Sequence, residues 1–202
     1  MVKEFHPENH YSIENDIVLL RPLKKDDFEH LITYSIHEPE LWKYSLTPAN
    51  SKELLKQYID NALSERHEGK SYPFIVFDKR TEQYAGCTRF YDIQLFHKTV
   101  SIGYTWYGKQ FQGTGLNKNC KIIMLDFAFK AMQMERVEFR ADARNQKSIA
   151  AMKSIGCKEE GTLRSNCLAP NGRRDSIVLS ILKSEWDQEV RPKLLNKINL
   201  QS

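Results

Sequence analysis

The sequence contains few cysteines, and none of them is spaced for a metal site or a disulfide framework. Cys87, Cys120, Cys157 and Cys167 form no C-x-x-C pair and share no cysteine–histidine ligand spacing. We therefore expect four reduced thiols, no zinc site and no disulfide-stapled fold.

Long apolar runs and a large excess of one charge are also missing. No apolar stretch approaches the roughly 20 residues that span a bilayer, and residues 1–7 contain no hydrophobic targeting stretch. The formal net charge is only +4, and the basic residues are dispersed. A nucleic acid or a membrane surface therefore has no basic cluster to bind, and we expect a cytoplasmic protein without such partners.

What the sequence does contain is a glycine-rich hexapeptide between a strand-like segment and a helical pattern. Residues 110–115 read Gln-Phe-Gln-Gly-Thr-Gly. Gly113 and Gly115 allow the main chain to approach a ligand closely, and the N–H groups of the loop point at it together with the positive end of the following helix. The pattern predicts a diphosphate site, although Gly-Thr-Gly is also reasonable chemistry for a structural turn.

Two better-known phosphate loops do not fit these residues. Gly108 and Gly113 have the Walker spacing, but Thr114 and Gly115 stand where lysine and serine or threonine are needed. The dinucleotide fingerprint fails as well, because Lys118 occupies the place of its third glycine. Adenine dinucleotides become unfavoured ligands.

The pattern Gln-x-x-Gly-x-Gly instead resembles the acetyl-CoA loop of the GCN5-related N-acetyltransferase (GNAT) superfamily. The resemblance extends through four later segments, which are residues 145–148 (NQKS), 155–157 (IGC), 160–164 (EGTLR) and 174–180 (RDSIVLS). Together they are similar to the RimJ/RimL-like branch over about residues 17–183. This resemblance implies an enzyme that uses acetyl-CoA, releases CoA and acetylates a primary amine on a peptide N-terminus or a small molecule. Relatives are often homodimers.

Hydrophobic periodicity predicts alternating strands and helices in a single domain of residues 1–202. Strands are expected at residues 17–22, 72–77, 84–93, 99–107, 136–142, 157–167 and 176–182. Helices are expected at residues 25–35, 51–68, 116–131, from about 145, and at about 184–197. The core would cover about residues 17–183, and Trp186, Val190 and Leu194 of the C-terminal helix would cover its own sheet or a partner's.

The resemblance implies the GNAT fold, an α/β structure whose mixed central sheet of about seven strands is flanked by helices. In this fold the fourth and fifth strands, here residues 99–107 and 136–142, splay apart to receive the pantetheine arm. Backbone amides on such splayed edges need partners, which the pantetheine amides provide.

The resemblance also implies which residues bind the cofactor. The backbone of residues 112–116 would meet the diphosphate, while Gln110 would orient the loop or touch the phosphate. The full set is Trp106, Tyr107, Gln110, Gln112, Gly113, Thr114, Gly115, Leu116, Asn117, Asn145 and Ser148. Trp106 and Tyr107 are about as compatible with ordinary core aromatics, and Asn145 with a helix N-cap.

Acyl transfer to an amine needs a neutral amine, donors for an oxyanion and a hydrogen bond for the departing thiolate. Backbone N–H groups near Trp106 are expected to polarise the thioester carbonyl. Asn145 and Ser148 are the expected catalytic pair, with the Ser148 hydroxyl reaching the cofactor sulfur; the alternative for Ser148 is a solvent-facing helix serine. We expect direct attack in a ternary complex.

Three positions depart from the wider family. Its usual general-acid tyrosine falls on Met152, and its acidic positions fall on Ser101 and Cys167. Residues 138, 140 and 142 share one strand face, where a carboxylate could face the cleft but a salt-bridge set is favoured. These departures leave open an alternative function, an acyl-CoA-binding sensor or assembly protein without turnover.

Trp42, Tyr44, Arg89 and Tyr91 are predicted to contact the acceptor, because in the family the first helix pair and the third strand wall that site. The alternatives are a hydrophobic clasp for Trp42 and Tyr44, and a surface ion pair of Arg89 with Asp92 or Glu82. Arg174 and Asp175 are expected to form an ion pair in a turn.

Overall fold

The computed structural model describes residues 5–170 and 172–200, and its centre is an eight-stranded mixed sheet in the order β1-β2-β3-β4-β5-β6-β8-β7. All seven predicted strands are present, and β1 is an additional strand, too short to give a sequence period. The strands are β1 (Ile13–Glu14), β2 (Val18–Pro22), β3 (Ser71–Asp78), β4 (Gln83–Gln94), β5 (Thr99–Tyr107), β6 (Arg136–Asp142), β7 (Lys158–Ala169) and β8 (Gly172–Leu182).

Helices cover both faces of this sheet. They are α1 (Phe28–His37), α2 (Lys52–His67), α3 (Leu116–Asp126), α4 (Gln146–Ser154), α5 (Lys183–Glu185) and α6 (Arg191–Asn199). Phe74 and Val76 of β3 belong to the core cluster under α3, α4 and α6, whereas Ile75 belongs to the cluster under α1 and α2. Alternate residues of one strand therefore fill opposite faces, as the twofold period of a strand requires.

Helix caps read from the sequence are formed. The Ser51 hydroxyl accepts a hydrogen bond from the Leu54 amide at 3.2 Å and caps the start of α2.

The helix predicted over residues 116–131 is confirmed, but its expected apolar stripe is only partly buried. Leu116 and Cys120 are buried and Ile123 and Phe127 are half-buried, and the helix ends in a π-helical turn over Phe127–Ala131.

Strands β5 and β6 are parallel neighbours that separate after three residue pairs. Their register joins Thr99 to Arg136, Val100 to Val137 and Ser101 to Glu138, and the described residues show no pairing beyond that point. Strand β5 stays paired with β4 up to Tyr107, and β6 stays paired with β8 up to Asp142. The predicted V-shaped opening is therefore present between the two strands.

The C-terminal helices close the core of their own chain. Trp186 is fully buried, and Val190 and Leu194 join it in the cluster beneath the sheet. The Trp186 indole donates to Asp126 Oδ1 at 3.2 Å, and the Arg191 guanidinium donates to both oxygens of the same carboxylate at 2.8–3.1 Å. Asp126 therefore ties the end of α3 to the C-terminal helices.

Replacing Arg191 with methionine should lower the free energy of unfolding by about 1–2 kcal/mol, because the partly buried Asp126 loses charge-assisted hydrogen bonds. The matched control is Lys193→Met, which removes an exposed ion pair with Glu189 and should change stability by less than about 0.5 kcal/mol. Urea unfolding measures both variants, and equal losses would contradict this account of the Asp126 contacts.

Candidate active site

The glycine-rich loop lies between the end of β5 and the start of α3. Gly113 has a φ of 78° and is exposed, and an added Cβ would meet no atom of the described chain within 4 Å. Gly115 has a φ of 83° and directly precedes α3, whose first residue, Leu116, is buried. The loop therefore presents an open surface at a helix N-terminus, which is an arrangement suited to an anion.

Four side chains hold this loop, two from the loop itself and two from distant parts of the chain. Thr114 Oγ1 donates to the carbonyl of Phe111 at 2.8 Å, and Gln112 Nε2 donates to the carbonyl of Tyr107 at 2.8 Å. Arg80 donates to the Thr114 carbonyl at 3.0 Å, and the Lys147 ammonium donates to Gln112 Oε1. Arg80 and Lys147 were missed by sequence reasoning, because only the folded topology brings them to the loop.

Gln110 does not hold the loop backbone in this structure. Its exposed amide donates to Gln83 Oε1 at 2.8 Å, and the neighbouring Gln112 orients the loop instead. Asn117, in the first turn of α3, accepts a hydrogen bond from the Tyr107 hydroxyl at 3.3 Å.

The aromatic residues at the end of β5 are core side chains whose backbone borders the opening. Trp106 belongs to the cluster under α1 and α2, with its indole donating to the Tyr58 hydroxyl at 3.4 Å. Tyr107 belongs to the cluster on the opposite face. Their main chain, rather than their rings, therefore lies along the V.

The first turn of α4 stands opposite the loop. Asn145 Oδ1 accepts a hydrogen bond from the Ser148 amide at 3.1 Å, so its capping role is confirmed. The Lys147 contact to Gln112 brings this turn next to the loop. Ser148, in this turn, is half-buried rather than fully solvent-facing.

Arg89 lies inside the molecule, on the face covered by α2. Only 3 % of it is exposed, its guanidinium pairs with Glu65 at 2.9 Å, and it stacks 3.9 Å from the Tyr104 ring centroid. A surface pair with Asp92 or Glu82 is therefore wrong. The prediction of a surface ion pair failed because an arginine between two turns is usually exposed to solvent. Here aromatic rings and a carboxylate compensate for the burial of Arg89.

A cavity of about 210 Å³ adjoins Arg89. It is lined by Thr47, Tyr58, Asn61, Ser64, Glu65, Glu68, Arg89 and Tyr104. Arg89 Nε and Thr47 Oγ1 are buried there without a hydrogen-bond partner in the described chain. Buried polar atoms of this kind call for a partner, so the cavity is suited to a polar ligand.

The other residues predicted for the acceptor lie at different depths. Trp42 is buried against Trp106 and Tyr58, as expected for its part of the clasp, whereas Tyr44 is not among the residues of the cluster under α1 and α2. Tyr44 is half-buried beside Lys43, and the half-buried Tyr91 meets Tyr104 edge-on at 5.3 Å. Of the four, only Arg89 lines the cavity, and Tyr91 adjoins it through Tyr104.

A family model described as an acetyltransferase (GNAT) domain matches residues 18–158. The chain belongs to this family. It is 26 % identical over 172 residues to the Bacillus licheniformis protein "Uncharacterized N-acetyltransferase p20", covering 83 % of this chain and 93 % of the relative. It is 30 % identical over 104 residues to "Putative ribosomal N-acetyltransferase YdaF" of Bacillus subtilis, covering 52 % and 56 %.

A solved structure, Mycobacterium smegmatis RimJ in complex with CoA-disulfide, has the same fold. Its TM-score is 0.74 at 20 % identity, with 96 % of this chain and 97 % of that chain covered. The predicted resemblance to the GNAT superfamily is confirmed by the family model, and the similar proteins include "Putative ribosomal N-acetyltransferase YdaF", in agreement with the RimJ/RimL-like branch. As a GNAT enzyme, the protein is an N-acetyltransferase that uses acetyl-CoA as its acetyl donor.

The structure shows where the three residues that depart from the GNAT pattern lie. Met152 is buried in the core of α4 and offers no proton, Ser101 is buried where the V begins, and Cys167 is half-buried in β7. Burial raises the pKa of Cys157 and of Cys120, the latter to about 11, so these thiols are protonated at neutral pH. Met152 and the two buried thiols therefore supply no general base.

The carboxylates of β6 are engaged in ion pairs, as the salt-bridge interpretation predicted. Glu138 pairs with Arg136 at 2.8 Å and with Arg140 at 2.6 Å, and Asp142 pairs with Arg144 at 2.8 Å. They are therefore poor candidates for a base in the cleft.

The expected turn ion pair of Arg174 and Asp175 is wrong. Both residues lie within β8, and Asp175 accepts a hydrogen bond from the Ser165 amide at 2.7 Å. The turn comes earlier because β7 and β8 continue pairing to Ala169 and Gly172.

Within the described residues, no helix is long and apolar enough to cross a membrane, and no group of three or more histidine, cysteine, aspartate or glutamate side chains could hold a metal.

A buried lysine, missed by the sequence analysis, lies beneath the cleft. Lys121 of α3 donates to Thr105 Oγ1 at 2.9 Å and to Thr88 Oγ1 at 3.0 Å, and the described residues offer it no carboxylate partner. Burial lowers its pKa from 10.5 to about 8. The other titratable groups near it are the thiols of Cys120 and Cys157.

Replacing Lys121 with methionine should stabilise the protein at pH 7 by about 1–3 kcal/mol, because a charged lysine in the folded core is disfavoured. Below pH 8 both states of the wild type hold the proton, so this penalty is complete. Between pH 8 and 10.5 the unfolded chain binds more protons than the folded one, so wild-type stability rises and the advantage of the variant shrinks.

Urea unfolding as a function of pH measures this difference. The control is Lys56→Met on the exposed face of α2, where stability should change by less than about 0.5 kcal/mol at either pH. A Lys121→Met variant that is less stable than the wild type at pH 7 would contradict the prediction.

Proposed function

We propose that the protein moves the acetyl group of acetyl-CoA to a primary amine by direct attack in a ternary complex. The observation that carries this proposal is the unpaired segment of β5 after Ser101, which runs from the start of the V to the glycine loop. Its backbone groups and the open loop surface match, respectively, the amides and the diphosphate of a CoA molecule.

The chain's residues divide the work along this segment. The backbone of residues 112–116 and the start of α3 bind negative charge. Lys147 adds positive charge beside the loop, and Arg80, whose charge Asp78 balances, holds the Thr114 carbonyl. Bound acetyl-CoA supplies the activated thioester. Backbone N–H groups near Trp106 polarise its carbonyl, and Ser148, held by the Asn145 cap, donates a hydrogen bond toward the sulfur.

The amine loses its proton without a dedicated protein base. The carboxylates of β6 are in ion pairs, and the thioether of Met152 cannot accept the proton of an amine. An α-amine has a reference pKa of about 7.7–8.0, against about 10.4 for lysine, so an amine of low pKa supplies more of the reactive neutral form. A pH–rate profile that follows only the ionisation of the acceptor is expected.

The acceptor is a peptide N-terminus or a small molecule that reaches the thioester from the α2 side. The cavity beside Arg89, with the carboxylates of Glu65 and Glu68, supports this assignment, and Tyr44 and Tyr91 would contact the same acceptor. The name of YdaF, a ribosomal N-acetyltransferase, favours a protein N-terminus. We also propose a single domain over the whole chain, since Trp186 fills the same core as β5 and α3; a homodimer rests on analogy alone.

A binding protein without turnover is the second candidate. It is favoured by one observation, namely that Met152 is buried in the position of the family's general acid. Such a protein would bind acetyl-CoA and release no thiol.

The test is thiol release from acetyl-CoA with a panel of N-terminal peptides, polyamines, amino acids and aminoglycosides, followed by mass spectrometry of each acceptor. Release with an acetylated product supports the transferase and names its substrate class. Calorimetric binding of acetyl-CoA without release by any acceptor would support the binding protein instead.

Replacing Gly113 with alanine should raise the Kd for CoA at least about tenfold, because a methyl group would occupy the open surface above the loop. Gly172→Ala is the matched control, since Gly172 also has a positive φ, of 105°, and open space around it. Both variants should lose about 1 kcal/mol of stability from backbone strain. Equal CoA affinities, measured by calorimetry, would argue against the loop as the diphosphate site.

Replacing Ser148 with alanine should lower kcat about tenfold and leave the KM for acetyl-CoA within about threefold, because its hydrogen bond is needed mainly as the thiolate departs. Ser154→Ala, at the other end of α4, is the control; its hydroxyl donates to Ala151 at 2.7 Å. Steady-state kinetics decide, and a kcat within about twofold of the wild type would remove Ser148 from the mechanism.

A further inference from the structure

Strand β5 carries a β-bulge in the segment that borders the V. Cys87 of β4 pairs with Trp106 and Arg89 pairs with Gly103, so Thr88 alone faces two residues, Tyr104 and Thr105. Tyr104 has a φ of 51°, in the left-handed region that bulky residues avoid. Such a conformation persists only where the surrounding contacts impose it.

On the α2 face, the contacts are made by the Tyr104 ring. The Arg89 guanidinium lies 3.9 Å from the ring centroid, and Tyr91 meets the ring edge-on at 5.3 Å. Glu65 in turn holds Arg89 at 2.9 Å. The Tyr104 ring is therefore held between the Arg89 guanidinium and the Tyr91 ring, and these contacts fix this side of the bulge.

On the α3 face, the contacts are made by a closed triangle of hydrogen bonds. Lys121 Nζ reaches Thr105 Oγ1 at 2.9 Å and Thr88 Oγ1 at 3.0 Å, and the two hydroxyls lie 2.8 Å apart. The ammonium therefore joins the bulged strand to the residue that faces the bulge. Only 5 % of Lys121 is exposed.

Packing alone does not account for a lysine at this position. A buried ammonium without a carboxylate partner destabilises a core that a methionine would fill. Residues that break the rules of core packing are expected at functional sites. The two threonine hydroxyls are the only side-chain oxygens within hydrogen-bond distance of Lys121 Nζ in the described chain.

We propose that Lys121 is a positioning residue that fixes the bulge of β5 through Thr88 and Thr105, and thereby sets the backbone donors that meet the acyl carbonyl. The proposal rests on the proposed function, because it assumes that the thioester lies along this segment. A bulge leaves its extra residue outside the strand ladder, and its backbone geometry is therefore set by side-chain contacts. Lys121 supplies such a contact from below, without touching the substrate.

The test combines Lys121→Met with the pair Thr105→Val and Thr105→Ser. Valine keeps the shape of threonine and removes the hydroxyl, whereas serine keeps the hydroxyl. Lys121→Met and Thr105→Val should lower kcat at least about tenfold and leave the KM for acetyl-CoA within about twofold. Thr105→Ser should keep kcat within about threefold of the wild type.

A second readout follows the bulge directly. Hydrogen exchange of the backbone amides of residues 104 and 106 should accelerate in Lys121→Met and Thr105→Val but not in Thr105→Ser. Loss of activity in a variant that is more stable than the wild type cannot be assigned to unfolding.

Wild-type kcat in Lys121→Met and Thr105→Val, or wild-type hydrogen exchange at residues 104 and 106 in both, would overturn the proposal. Failure of the proposed function is distinguishable, because the wild type itself would then release no thiol with any acceptor, rather than differing from its variants.

Discussion

The constraint on which the site depends is a shortage of hydrogen-bond partners between β5 and β6. Each strand is paired along its other side, β5 to β4 with one bulge and β6 to β8, yet the described residues of the two strands pair with each other at only three positions. Backbone groups beyond Ser101 must therefore find water or a ligand that carries its own amides. The glycine loop lies at one end of this gap and the first turn of α4 beside it, so the same shortage places the anion site next to the unpaired strand edge.

Much of the fold could be predicted from local patterns. The bounds of β5 and β6 agree with the sequence, because each strand is rich in β-branched and aromatic residues and turn residues stand before it. Ser51 and Asn145 were readable as caps, since a short polar side chain at a helix start satisfies an amide that the helix leaves free. The loop at Gly113 and Gly115 could also be predicted, because glycine adopts the left-handed backbone conformation that both residues show. The π-helical turn over Phe127–Ala131, which follows α3, has no signal in the hydrophobic periodicity of the sequence.

The site was harder to predict wherever a charged side chain leaves the surface. Arg89 and Lys121 stand in segments whose periodicity is compatible with solvent exposure, and nothing in their neighbouring residues signals burial. Their environments come from α2, β4 and β5, which are brought together only by the sheet order. Arg80 reaches the loop from the turn between β3 and β4, and Lys147 reaches it from the first turn of α4; both are distant in sequence. Local pattern thus identifies the backbone framework of the site, whereas its electrostatics depend on tertiary contacts.

The strand order has a consequence for how the chain assembles as it is synthesised. Strand β8 lies between β6 and β7, although it is the last strand in the sequence. Until it emerges from the ribosome, β6 has only its three residue pairs with β5, and β7 has no neighbour among the earlier strands. Trp186, which fills the core beneath the sheet, follows later still. The first half of the sheet can therefore form during translation, whereas the V completes its second wall only when the end of the chain becomes available.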